Sequence, residues 1–352
     1  MRWGAFVACV PRASSIDCPP HRQHYLPMIQ PVKPAHLLGL LSLAAILCGL
    51  PLQPKAWSQT PAPALAAIPA PTSAPAIAAP TATPLPTPAP DAPKDALGQP
   101  FCNLYPAKIR PAEYDKWITF VLSREPAEQS WLRTAEKSMG ELYGSGFIRS
   151  CITAKNYDPE TDCWGYVKDD PKLPRLLIIG NSISRGYTVS TRLALKGVAN
   201  VHRAPANCGR TDYFFRDAET WLMQNGSNKW DIITVGYGIH DAGKSPQAYT
   251  DNLKKIIARL RETGSTIVLV NATPWYNKDD AARTNDLSPG VNATLAAFAK
   301  EEGLTVVNHH DVVMPRIAEL QGKDGTHFND EGYHLLGESL AEQLKPLCKP
   351  KQ

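Results

Sequence analysis

Leu176-Leu177-Ile178-Ile179-Gly180-Asn181-Ser182-Ile183-Ser184, residues 176–184, is the stretch that decides how this chain folds. Four large apolar residues without polar alternation describe a short strand covered on both faces, as in parallel sheets. The pattern returns at Asp231-Ile232-Ile233-Thr234-Val235, at Thr266-Ile267-Val268-Leu269-Val270 and at Leu304-Thr305-Val306-Val307. Between these runs, Tyr249, Leu253, Ile256, Ile257 and Leu260 recur at helical spacing, as do Leu336, Leu340 and Leu344. Strands alternating with amphipathic helices predict an α/β fold whose central parallel sheet is wrapped by helices. Ligand sites in such sheets lie at the carboxyl edge of the strands, which is where Ser182 stands.

Upstream, the 352 residues hold a front third of another character. The apolar run 37–52 follows Lys33 and His36 and precedes Ala56-Trp57-Ser58, so residues 28–58 read as a secretory signal cleaved near residue 58. The rival is an N-terminal membrane anchor, for which the run is short; a lipid at Cys48 is disfavoured by the bulk of Leu47. Residues 1–27 are expected to lie upstream of the natural start. Residues 59–100 are rich in Ala, Pro and Thr and form a semi-extended tether; at about 3 Å per residue it reaches on the order of 100 Å. Residues 101–174 carry a helical elaboration, Pro111 to Leu142, with Trp117, Phe120, Val121, Trp131 and Leu132 as packing residues. The catalytic domain is expected over residues 175–348.

Export makes the cysteines candidates for pairing. Cys151 and Cys163 flank a loop, and Cys102 and Cys348 bracket the globular part, so these two pairs are the expected disulfides; Cys208 is left over. A net charge of +4 without a basic block gives no case for nucleic acid. No Cys or His pair has metal-ligand spacing, so neither metal nor other cofactor is expected. His309 and His310 read as a helix-start loop, and Phe214 and Phe215 as core. Trp275 and Tyr276, just past the third run, are candidates for a substrate platform at the rim or for packing beneath a loop.

A serine hydroxyl is a weak nucleophile until a base, itself oriented by a third group, accepts its proton. Asp324-Gly325-Thr326-His327 supplies a carboxylate and an imidazole three residues apart, at the turn that opens the last helix. The pair alone also fits a helix cap with a surface histidine.

Four segments in order resemble the blocks of the SGNH, or GDSL-like, hydrolase family: Gly180 to Ser184, Asn207-Cys208-Gly209, Tyr237-Gly238-Ile239-His240-Asp241, and Asp324 to His327. No G-x-S-x-G elbow surrounds Ser182, which disfavours the α/β-hydrolase fold. The resemblance implies a flavodoxin-like three-layer sandwich with Ser182 as nucleophile, His327 as base then acid, and Asp324 as its orienting partner. It also implies an oxyanion hole made by the N–H groups of Ser182 and Gly209 and by a third donor. His240 holds the place where the family usually has Asn, and Asn181 replaces the family's Asp. The expected protein is a secreted or periplasmic serine esterase acting on a small acyl ester or an acylated, most often O-acetylated, polysaccharide, with no stable membrane span after cleavage. The alternatives on the same fold are a lysophospholipase or thioesterase, an O-acyltransferase to a sugar, and an inactive binding protein.

Overall fold

In the computed structural model the described residues are 108–351. The tether, the signal segment and Cys102 lie outside them. The first three helices are α1 (Pro111–Leu122), α2 (Pro126–Ser138) and α3 (Gly140–Thr153). The α/β part then runs β1 (Arg175–Gly180), α4 (Ser182–Ala194), β2 (Asn200–Arg203), α5 (Thr211–Leu222), β3 (Ile232–Gly236), α6 (Pro246–Arg261) and β4 (Thr266–Val270). It closes with α7 (Pro289–Glu302), β5 (Thr305–Val307), the short α8 (His309–Val313) and α9 (Ile317–Leu320), and α10 (Asp330–Leu344).

The five strands are parallel throughout, in the order β2-β1-β3-β4-β5. That is the flavodoxin-like order, and the carboxyl ends of β1 and β3 meet at its reversal point, with Gly180 beside Gly236. Side-chain alternation divides the sheet's apolar residues between two layers. Leu177, Ile179, Ile233, Val235 and Leu269 pack under α5, α6 and α7, while Leu176, Ile178, Ile232, Val268 and Val270 pack under α4, α8 and α10. The central strands β1, β3 and β4 are therefore largely apolar along their length because each of their faces has a helical cover.

The first three helices enclose a core of their own, formed by Trp117, Trp131, Phe147, Ile148 and Trp164. Its one buried carboxylate, Glu136, accepts hydrogen bonds from the Tyr114 hydroxyl at 2.9 Å and Trp117 Nε1 at 3.0 Å, and Arg133 stands 2.8 Å away. A buried charge so surrounded fixes how α1 and α2 pack. The helical stretch extends past the expected Leu142 to Thr153, so Cys151 belongs to a helix. Cys151 and Cys163 stand as separate thiols in the structure, and the other expected pair, Cys102 with Cys348, involves a residue outside the described ones.

Closest packing in the α/β part is between α4 and α10. Gly337 lies against the backbone of α4, where an added Cβ would stand 2.5 Å from the Ser190 Cβ and 2.9 Å from the Thr191 nitrogen. Thr191 Oγ1 crosses the same contact to the Gly337 carbonyl at 3.3 Å. Gly337→Val must push the helices apart. We expect it to lower unfolding free energy by about 1–3 kcal/mol in urea denaturation, the usual cost of overpacking; a change below about 0.5 kcal/mol would show that the helices are not held at this distance.

Candidate active site

Strand β1 ends at Gly180, where a side chain would collide with Ser184 at 2.9 Å and approach the Gly236 carbonyl at 3.2 Å. Asn181 then caps α4, its Oδ1 accepting from the Ile183 N–H at 3.0 Å. The acceptor role expected of an Asp is thus filled by the amide oxygen. Ser182 is consequently the first residue of the helix, 6% exposed, at the end where backbone N–H groups are unpaired.

Residues 321–328 bring the imidazole to it. The Gly322 N–H donates to the His327 carbonyl at 2.7 Å, and Gly325 takes φ +69°, packed against the Tyr276 carbonyl. Asp324 Oδ1 accepts from the N–H groups of Thr326 at 3.0 Å and His327 at 2.9 Å, leaving Oδ2 to face His327 Nδ1 at 2.7 Å. His327 Nε2 lies 2.8 Å from Ser182 Oγ, across 145 positions of sequence. With the Nδ1 proton held toward Asp324, Nε2 is the nitrogen left to accept from the serine. Partial burial pulls the Asp324 carboxyl upward, but the Thr326 N–H and the His327 ring and N–H outweigh it and hold its pKa below the ordinary carboxylate value.

Gly209 adopts φ +54° and the Tyr213 ring lies where a side chain would go, 2.8 Å from an added Cβ. Its loop is tied to the turn that carries Ser182 by the Cys208 N–H, which donates to the Gly180 carbonyl at 3.2 Å. Among the described residues neither the Ser182 nor the Gly209 N–H has a protein acceptor. His240 is exposed and makes no bond to Asp241, whose buried carboxylate instead accepts from Thr211 Oγ1 at 2.7 Å and the Thr211 N–H. Asp241 therefore anchors the start of α5, directly after the glycine loop. Desolvation lowers the His240 pKa, Asp241 opposes this, and His327 and Arg210 add to it, so the ring is held neutral with an N–H to donate.

The strand pattern carried no hint of Arg203. Its guanidinium, 1% exposed, donates to the carbonyls of Ala204 at 3.1 Å and Ala206 at 2.5 Å on one side, and of Gly180 at 3.1 Å and Asn181 at 3.2 Å on the other. It also reaches Ser184 Oγ at 3.1 Å. One side chain thereby sets the glycine loop against the turn that carries Ser182. Asn200-Val201-His202-Arg203 has no apolar run to mark it as a strand, so nothing in the sequence singled this arginine out.

Other expectations resolve differently. Trp275 and Tyr276 are 7% and 3% exposed, so their rings pack beneath the loop and do not form an open platform. What reaches the site is the Tyr276 N–H, donated to the Gly325 carbonyl at 2.8 Å. Phe214 is core but Phe215 is exposed. Cys208 is buried, and desolvation pushes its thiol up to about 11, which disqualifies it as a nucleophile. No cluster of metal-ligating side chains occurs among the described residues.

A cavity of about 20 Å³ lies behind the nucleophile's turn, lined by Asn181, Ser184, Tyr187, Tyr237, Thr273 and His309. His309 opens α8 and meets the Tyr187 ring edge-on at 5.0 Å. Burial drives its pKa down to about 3, slightly offset by the Leu336 backbone. A histidine kept neutral in the fold but able to protonate when unfolded favours folding fully above about pH 6.5, and the advantage is lost as pH falls toward 3. We expect denaturation midpoints of His309→Gln to fall less steeply than those of the parent over that window. His202, also buried with a lowered pKa, keeps part of the slope in both. Parallel acid limbs would show that His309 titrates as in water.

Residues 178–335 match the family model described as GDSL-like Lipase/Acylhydrolase. Among solved structures, an acetyl xylan esterase, AlAXEase, is 14% identical, with 48% of this chain and 99% of that one covered at a TM-score of 0.42. A lipase/acylhydrolase from Enterococcus faecalis is 18% identical over 51% of this chain and 99% of its own, TM-score 0.42. A carbohydrate acetylesterase family member from Sinorhizobium meliloti is 17% identical over 49% and 98%, TM-score 0.40. No curated protein matches the chain significantly.

Proposed function

Through residues 178–335 the chain belongs to the GDSL-like lipase/acylhydrolase family and is an ester hydrolase; we propose that it works by a Ser182-His327-Asp324 triad on short acyl esters of carbohydrate outside the cytoplasm. The observation that carries the triad is the unbroken pair of contacts, 2.8 Å from Ser182 Oγ to His327 Nε2 and 2.7 Å from His327 Nδ1 to Asp324.

The steps follow from that geometry. Ser182 Oγ attacks the ester carbonyl carbon as its proton passes to His327 Nε2. Asp324, ionised at neutral pH, steadies the imidazolium. The carbonyl oxygen takes the negative charge and is met by the N–H groups of Ser182 and Gly209 and by the His240 imidazole, donors that need no reorganisation. His327 returns the proton to the departing alcohol, and the C–O bond to it breaks. Water, deprotonated by His327, then attacks the acyl-serine, releasing the acid and restoring Ser182.

The choice of a short acyl group, acetyl first, on a carbohydrate follows from the export pattern and tether of residues 28–100, which would place the enzyme among acetylated polysaccharides. Export to the periplasm or medium rests on the signal pattern of residues 28–58 and on the tether that follows it. Among the described residues no helix is long and apolar enough to cross a membrane.

The protein should hydrolyse nitrophenyl acetate faster than long-chain nitrophenyl esters and release acetate from acetylated polysaccharide. Ser182→Ala and His327→Ala should each lose on the order of a thousandfold or more in kcat. Retention of activity by Ser182→Ala removes the proposed nucleophile. His240→Ala should cost about a hundredfold, and a near-normal rate takes that residue out of the oxyanion hole.

A further inference from the structure

The nucleophile's helix carries a cation that the reaction above does not use. Arg185 stands one turn after Ser182 on α4. At that spacing the two Cβ atoms are about 5–6 Å apart. Helical side chains lean toward the helix N-terminus, so the arginine stem runs back over the turn that Ser182 opens.

Its guanidinium is held by aromatic rings and not by acceptors. The central carbon lies 5.5 Å from the Tyr143 ring centre and 6.0 Å from that of Trp164. Nε is enclosed without a partner, and among the described residues no nitrogen of this side chain forms a hydrogen bond or ion pair. Asp162 feels its charge together with that of Arg192, yet neither forms an ion pair with it. The other enclosed arginines of this part of the molecule behave differently. Arg175 donates to the carbonyls of Lys229 and Gln224 and pairs with Asp169, and Arg192 donates to those of Pro159 and Asp162. Arg185 alone among these four, Arg203 included, has its donors unengaged.

Its aromatic neighbour Tyr143 leads to a further polar side chain. The Tyr143 hydroxyl accepts from Asn207 Nδ2 at 3.3 Å, and Asn207 Oδ1 is enclosed without a donor. Asn207 begins the loop that ends in Gly209, so this wall is continuous with the oxyanion donors. On the opposite side the Tyr333 ring occupies the space above Gly186, where a Cβ would come within 2.1 Å of it. Burial raises the Tyr333 hydroxyl's pKa, the Phe328 backbone and Arg185 pull it back, and Asp324 and Tyr143 push it up again. The Tyr333 hydroxyl thus senses the charges of both Arg185 and Asp324.

A guanidinium fork fits a carboxylate with two parallel hydrogen bonds. We propose that Arg185 forms a subsite for a carboxylate carried by the sugar portion of the substrate, with Asn207 Oδ1 open to a sugar hydroxyl beside it, so that esters of acidic sugars are preferred over esters of neutral ones. This rests on the reading of Ser182 as nucleophile and adds to it the substrate's charge. It also makes α3, through Tyr143, part of the substrate's surroundings.

The test compares acetylated polygalacturonate with acetylated xylan, using the full chain, its Arg185→Gln and Arg185→Lys variants, and acetate release as the readout. The parent should favour the acidic polymer, and Arg185→Gln should lower the ratio of the two kcat/KM values by about 10- to 100-fold, mainly through KM. Arg185→Lys should restore part of the ratio. Equal losses on both polymers, or a parent that shows no preference, overturns the subsite while leaving the esterase standing. Failure of the parent on both polymers and on nitrophenyl acetate overturns the esterase reading and the subsite with it. A sulfated neutral polymer bearing acetyl esters separates carboxylate from general anion recognition: a preference for it equal to that for polygalacturonate removes the carboxylate assignment. In a measurement that needs no turnover, unesterified galacturonate oligomers should bind Ser182→Ala protein with a salt-dependent affinity, and absence of binding at millimolar concentration counts against the proposal.

Discussion

How close α4 can come to α10 governs everything at the catalytic edge. The serine opens one helix and the histidine lies just before the other, and the two are joined by a bond only 2.8 Å long across 145 residues. Gly337 removes the side chain that would separate the helices at mid-length, and Gly186 makes room for the Tyr333 ring nearer the site. Leu336, Leu340 and Leu344 then pack on the same sheet face as Ile183 and Tyr187. The reactive contact is the visible end of an apolar interface, so its precision comes from packing and not from the strength of one polar bond.

The second constraint is electrostatic. Arg203 is a buried cation whose partners are carbonyl oxygens and a hydroxyl, with no carboxylate in contact. Removing a guanidinium from water costs several kcal/mol unless its donors are met, and here most are met by backbone that must be rigid for catalysis. The oxyanion formed on Ser182 would develop beside the loops this charge holds together. Its field has the sign that favours the intermediate, in surroundings where screening is weak.

The strands were legible because both faces of the sheet are covered. Continuous apolar runs such as Leu176 to Ile179 have no other economical explanation, and they predict the parallel sheet without a partner sequence. The serine, the aspartate-histidine pair and the glycine loop were legible as local segments in a fixed order. What stayed hidden depends on side chains that meet only in three dimensions. Arg203 reads as a stray charge until Gly180 and Ala206 are seen on either side of it. Asp241 stands next to His240 in sequence, but its carboxylate turns to Thr211, thirty residues away. Trp275 and Tyr276 show the limit of composition: aromatic residues near a strand end fit a platform or a core equally well, and their burial under the loop decides it. The cysteine spacing likewise ignored that Cys151 is part of α3, with its thiol turned into that helical core.

The first three helices matter to the site for the same reason that they have a core of their own. Trp164 takes the Trp131 N–H on its carbonyl at 2.7 Å, packs edge-on against Tyr143, and stands over both Arg185 and Arg203. One indole therefore links the helical core, the unengaged cation beside the nucleophile and the buried cation beneath it. Tyr143 extends that link to Asn207 and the oxyanion loop. A helical cap that merely shielded the sheet would present apolar side chains at this seam. Instead it contributes aromatic faces and a hydroxyl, groups that restrain a charge without neutralising it. The Ser182, His327 and Asp324 contacts lie within the α/β layers, and the side chains that restrain Arg185 lie where α3 meets them.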